Sequence, residues 1–141
     1  MIRSNYIFET PEGIAKYLKD LELFLNSTPD ANDIEGLFTY LGEMRAHYAT
    51  LSHVLGQTKA LHAKAVMSVV DGTDKEIYNR IKNSSTLVVE YAEAKEPNVA
   101  FIHTKADFMK RALTDATSQI TTMIAYRKEE MRLSGSGIKQ N

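Results

Sequence analysis

The chain has 141 residues and a formal net charge of −1, and it contains no cysteine. That length fits one domain able to bury a core without covalent staples, and the missing thiols exclude cysteine nucleophiles, disulfides and zinc sites built on Cys. No run approaches the ~18 apolar residues of a membrane span, and the N-terminus lacks the apolar stretch of a signal peptide; the expectation is a soluble, cytoplasmic protein with no membrane partner.

In chain order, residues 1–9 alternate weakly through Ile2, Tyr6 and Phe8, as a short extended arm would. Thr10-Pro11-Glu12 then opens a helix: a hydroxyl at the N-cap, a proline where its missing N–H costs nothing, and an acid in the first turn. Ile14, Tyr17, Leu18, Leu21 and Leu25 share one face, so this helix is predicted over Pro11 to Asn26. The cluster Asn26 to Asp33 breaks the pattern and recaps the chain.

From Asp33 to Val70 runs the predicted central helix. Ile34, Leu41, Tyr48, Leu55, His62 and Val69 repeat every seven residues, and Leu37, Met44, Leu51, Thr58 and Ala65 follow three residues behind. That is an a/d seam, widened at g by Tyr40, Val54 and Leu61, and it implies one long helix packed lengthwise on others. The flank at b carries Gly42, Ala49, Gly56 and Ala63, with Ala46 and Ala60 beside them at f. Glycine inside a helix costs about 1 kcal/mol relative to alanine, and the expectation is that another helix lies close along this bare flank. The c positions, Gly36, Glu43, Thr50, Gln57 and Lys64, read as solvated.

Asp71-Gly72 ends the central helix with a glycine suited to the left-handed region, and Thr73-Asp74-Lys75-Glu76 has the pattern of a capping box. The third predicted helix returns antiparallel through Ile77, Ile81, Val88 and Tyr91, interrupted at Ser84-Ser85, and stops before Pro97. The fourth runs from Asn98 to Leu133 on a second seam of Val99, Ile102, Ala106, Met109, Leu113, Ala116, Ile120 and Met123. Residues 134–141 read as a flexible tail beyond a single domain of residues 1–133. The predicted fold is all-α, an elongated antiparallel bundle of four helices, two of them long with heptad seams. At ~1.5 Å per residue the two long helices span about 57 and 54 Å, and the other two about 24 and 33 Å. If the last helix runs parallel to the central one, its end overhangs and exposes Ile120, Met123, Ile124, Tyr126 and Met131, which a second subunit would cover.

Enzymatic readings find little support. A di-iron site needs Glu-x-x-His on two helices, but Glu43 stands four residues before His47 and no second pair exists. Gly135-Ser136-Gly137 lacks the lysine and following helix of a phosphate loop, and no metal or cofactor is expected. Tyr17, Phe38, Tyr48, Tyr91 and Phe108 fall at core-like spacing. Of four histidines only His62 sits on the seam, where with Thr58 it forms a polar layer. Such a layer either fixes helix register, as polar seam positions do, or lines a pocket for a small ligand.

Charge is uneven: residues 1–44 carry three Lys/Arg against eight Asp/Glu, and residues 99–141 carry seven against four. Opposed faces of this kind help helices or subunits pair, and the basic end, Arg127, Lys128, Arg132 and Lys139, could touch single-stranded DNA. The run Ala106-Asp107-Phe108-Met109-Lys110-Arg111-Ala112-Leu113-Thr114, with Ile120 to Ile124 and Arg127 to Arg132, resembles the end of small helical proteins encoded by tailed phages, often near recombination or replication genes. Leu37 to Glu43 is similar to the start of their long helix. The resemblance covers residues 33–133 and implies a phage setting without a residue-level function. The expectation is a non-enzymatic accessory or inhibitor protein that binds a protein partner, itself a homo-oligomer and most simply a dimer. Alternatives are a recombination factor touching single-stranded DNA and a ligand-sequestering bundle. The surface nominated for oligomer or partner contact comprises Gly42, Ala49, Gly56, Ala63, Ile120, Met123, Ile124, Tyr126 and Met131.

Overall fold

A computed structural model describes the backbone of residues 6–72 and 75–140, with side chains as far as Gly135. The described chain is helical, in five segments: α1 Pro11–Leu25, α2 Ile34–Asp71, α3 Lys75–Ile81, α4 Ser85–Lys95 and α5 Pro97–Gln140. No strand occurs among the described residues.

The N-caps are local chemistry made visible. Thr10 Oγ1 accepts from the Gly13 N–H at 3.1 Å, and Asp33 Oδ1 from the Gly36 N–H at 2.9 Å. Each satisfies a donor that has no partner inside its helix. The same chemistry divides the third predicted helix in two: Ser84 Oγ accepts from the Leu87 N–H at 3.3 Å, its backbone is extended, and α4 begins anew after it. A serine hydroxyl competes for backbone donors and so favours a cap over a helix interior. Gly72 is extended rather than left-handed, with φ −82° and ψ −175°; Thr73 and Asp74 of the predicted capping box lie outside the described residues. At the other end, α5 continues past Leu133 to Gln140. Its Ser/Gly run contains no proline, so every backbone donor needed to prolong the helix is present.

α2 and α5 pair along their lengths in opposite directions. The Lys128 ammonium lies over the Phe38 ring at 4.9 Å, the Tyr48 hydroxyl donates to Thr114 Oγ1 at 2.6 Å, and the His62 and His103 rings stack at 4.4 Å. As numbers rise on α2 they fall on α5. A last helix parallel to the central one is therefore incorrect, and the reason lies in the connection. α4 already runs back along the end of α2, with Val88 and Ala92 against Val69 and Glu93 at His62. Only Glu96 separates α4 from α5, so the chain carries on in the sense of α4. With Lys128 opposite Phe38 near the start of α2, the overhang is confined to the last turns of α5. Ile120 and Ile124 are buried in the same chain and Met123 is half-buried against that core; these three leave the list of surface residues.

The main core joins α1, α2 and α5. Leu37, Met44, Leu51, Thr58 and Ala65 are all buried, whereas in the companion register Leu41 and Val69 are buried and Ile34, Tyr48, Leu55 and His62 half-buried. The buried face is thus centred on the first set and leans toward Tyr40, His47 and Val54. Thr50, expected in water, is also buried, its hydroxyl donating to the Ala46 carbonyl at 3.3 Å. α1 lies against α5 and reaches α2 through aromatic rings: Phe24 stacks on Tyr40 at 4.5 Å, and the Tyr40 hydroxyl donates to the Phe24 carbonyl at 2.8 Å. A Glu22–Lys105 ion pair ties α1 to α5, so the acidic first third and basic last third meet within one chain. A smaller cluster of Val69, Val88 and Ala92 closes the far end of α2.

Candidate functional site

Thr58 and His62, the polar layer read from the sequence, end up with different roles. Thr58 is fully buried and its hydroxyl donates back to the Leu55 carbonyl at 2.9 Å, a bond inside its own helix. His62, half-buried, places Nε2 3.1 Å from Glu93 Oε1 on α4 and lays its ring on His103 of α5. Three helices therefore converge on this pair of imidazoles. Beside them a cleft of about 370 Å³ opens between α2 and α5, lined by Leu55, Thr58, Lys59, His103, Thr104 and Asp107. Asp107 is paired with Arg111 at 3.0 Å on the surface. Burial holds the His103 imidazole below its ordinary range, with the neighbouring His62 pushing the same way and Glu93 and Asp107 opposing. The arrangement can present the Lys59 ammonium, the Thr104 hydroxyl, the Asp107 carboxylate and the His103 imidazole to a small polar molecule. Among the described residues no group of three or more His, Asp or Glu is placed to hold a metal ion.

A second histidine proves structural. His47 is buried between Tyr17 and Phe24, with Nδ1 3.0 Å from the Tyr17 hydroxyl and Nε2 buried without a partner among the described residues. Its burial lowers its affinity for a proton. Its place at g was the available signal, since that position already held Tyr40, Val54 and Leu61.

The basic end of α5 is engaged within the chain. Arg127 Nη1 donates to Glu130 at 2.9 Å, Arg132 grips both oxygens of Glu129 at 2.6 and 3.1 Å, and Lys128 caps Phe38. A phosphate would have to compete with a carboxylate for both guanidiniums. The Lys139 side chain lies outside the described residues. A shallow groove of about 650 Å³ runs past Arg127, Glu130, Met131, Leu133, Ser134 and Gly135.

The bare flank of α2 is open. Gly42, Ala49, Gly56 and Ala63 are exposed, and a Cβ added at Gly42 or Gly56 would meet nothing within 4 Å. Helix α5 carries a different exposed feature. Phe101 and Phe108 are 58% and 62% exposed, Tyr126 and Leu133 67% and 57%. Phe108 and Phe38, placed in the core by their spacing, are thus on the surface, and the first belongs to a set. At 100° per residue these four α5 side chains fall within about 40° of one another. Their mean direction is about 120° round the helix from that of Ile102, Met109, Leu113 and Ile120, which face the core. No protein-family model matches the chain, and no curated protein or solved structure matches it either.

Proposed function

We propose that the protein works by binding another protein chain through its helical surface, without catalysing a reaction. The observation that carries this reading is the row Phe101, Phe108, Tyr126 and Leu133, four large apolar side chains in water along one line of α5. The four fall in two pairs, Phe101 with Phe108 and Tyr126 with Leu133, separated by about 27 Å of helix; a helix with a second apolar face away from its core-facing one offers that face to a partner. Aromatic residues dominate the set, as they do among the side chains that carry interface energy. In the phage setting that the resemblance implies, the partner is a phage or host protein and the role that of an accessory or inhibitor; self-association into a dimer is part of the same reading.

A photoreactive phenylalanine analogue placed at Phe108 or Tyr126 tests it in cells. Light should trap a protein adduct from both positions and not from exposed Lys64 on α2. Absence of any adduct from either position would overturn the reading.

The cleft at Thr58 and His103 favours a second reading, sequestration of a small polar ligand, since about 370 Å³ lies at the lower end of ligand pocket sizes. Broadening or shifting of the His62 and His103 imidazole resonances in the presence of a metabolite extract would support it. Unchanged resonances would remove it.

A further inference from the structure

We propose that the outward row of α5 pairs with the same row of a second copy of this chain, antiparallel about a two-fold axis that passes opposite Thr117. The inference rests on the binding reading above and names the partner. It comes from a symmetry in the spacing. Phe101 lies as far before Thr117 as Leu133 lies after it, and the same holds for Phe108 and Tyr126. Laid antiparallel, Phe101 therefore meets the partner's Leu133 and Phe108 meets the partner's Tyr126, twice each by the symmetry of an isologous contact. The residues between them on the same line, exposed Asp115, Gln119 and Thr122 and half-buried Ala112, pair about the same centre. Asp115 and Gln119 are equally distant from Thr117, so each Gln119 amide can donate to a carboxylate across the axis. Ala112 and Thr122, also equidistant, leave small side chains where two helix backbones approach.

The parallel alternative is poorer on the same residues. It sets Asp115 against the partner's Asp115, and facing like charges at an interface are costly. The antiparallel pairing replaces that repulsion with a polar layer flanked by apolar contacts, a device that specifies register. Thr117 itself is turned away, half-buried with its hydroxyl bonded to the Leu113 carbonyl at 2.7 Å, so the axis crosses a helix whose opposite side is already packed. Neither Ile120 nor Ile124 is needed for the contact, which leaves each subunit's core intact.

The chain has no native cysteine, so introduced thiols report on this contact alone. In the Asp115→Cys/Gln119→Cys variant, which keeps all four apolar residues, mild oxidation should give a disulfide-linked dimer within minutes. Tyr126→Cys alone should not, because two copies of that residue would stand about 27 Å apart along the axis. Light scattering of the wild type near ~10 μM should give twice the 15.9 kDa chain mass. Phe108→Glu should weaken the dimer by at least about a hundredfold with the helical circular dichroism retained. A monomeric wild type overturns the proposal, as does a folded double-cysteine variant that forms no covalent dimer, or a single Tyr126→Cys variant that cross-links as well as it does. If the wild type is monomeric but a photoreactive group at Tyr126 captures a different protein, self-pairing falls and the binding reading stands. A monomer with no photoadduct removes both.

Discussion

His47 sits where a charge is least welcome, enclosed by Tyr17 and Phe24 with one ring nitrogen lacking a partner among the described residues. Its proton affinity is lowered by that burial, and His103 is shifted in the same direction. An unfolded chain binds a proton on each near pH 6.5, while the folded chain resists. Stability is therefore retained at neutral pH and lost as pH falls below about 6.5, levelling off below the folded-state pKa values. Urea midpoints at pH 7.5 and 5.5 should differ in the wild type and differ less in His47→Leu; an equal difference in both would acquit His47. Deeper in the apolar core, Leu51 and Leu113 are almost wholly enclosed. Each, changed to alanine, should destabilise the fold by about 2–5 kcal/mol in chemical denaturation. A loss below about 0.5 kcal/mol, ordinary for the surface, would contradict their placement.

Among the elements, α2 and α4 give the sharpest expectations. The space around Gly56 is open, so Gly56→Ala should raise stability by about 1 kcal/mol through helix propensity alone. Gly56→Leu should also be tolerated and leave the oligomer mass unchanged; a drop in mass would show that the bare flank of α2, not the aromatic row of α5, holds the subunits together. Ser84 both ends the turn after α3 and caps α4. Removing its hydroxyl with Ser84→Ala should cost about 1 kcal/mol, registered as a lower urea midpoint. If the midpoint does not move, the break between α3 and α4 is maintained by packing and not by the cap.

At the scale of the whole molecule, the antiparallel α2–α5 pair decides which charges remain available. It brings Lys128 over Phe38, while within α5 itself Arg127 and Arg132 are bonded to Glu130 and Glu129 three residues away along the helix. Single-stranded DNA should consequently bind weakly or not at all even near ~0.05 M salt, where counterion release favours binding most. Tight binding that weakens steeply as salt rises would show that these ion pairs open to phosphate, and would restore the recombination reading.

What the sequence determined by itself is what neighbouring residues decide among themselves. Thr10 and Asp33 announced their helices because a cap needs only a hydroxyl or carboxylate and the N–H three residues on. The burial of Leu37, Met44, Leu51, Thr58 and Ala65 was legible because a helix repeats its faces every few residues. The spacing of Phe108 read as core, and it could not say which of two apolar faces of α5 would be covered. The tertiary structure alone decided that, together with the direction of α5, the company of His47 and the meeting of His62, Glu93 and His103. The direction of α5 and the meeting of its His103 with His62 and Glu93 depend on how the chain turns at Ser84 and Glu96, and the company of His47 on the connection between α1 and α2. Periodicity records that a face is apolar, and a contact between distant helices is settled only when the connections place one face against another.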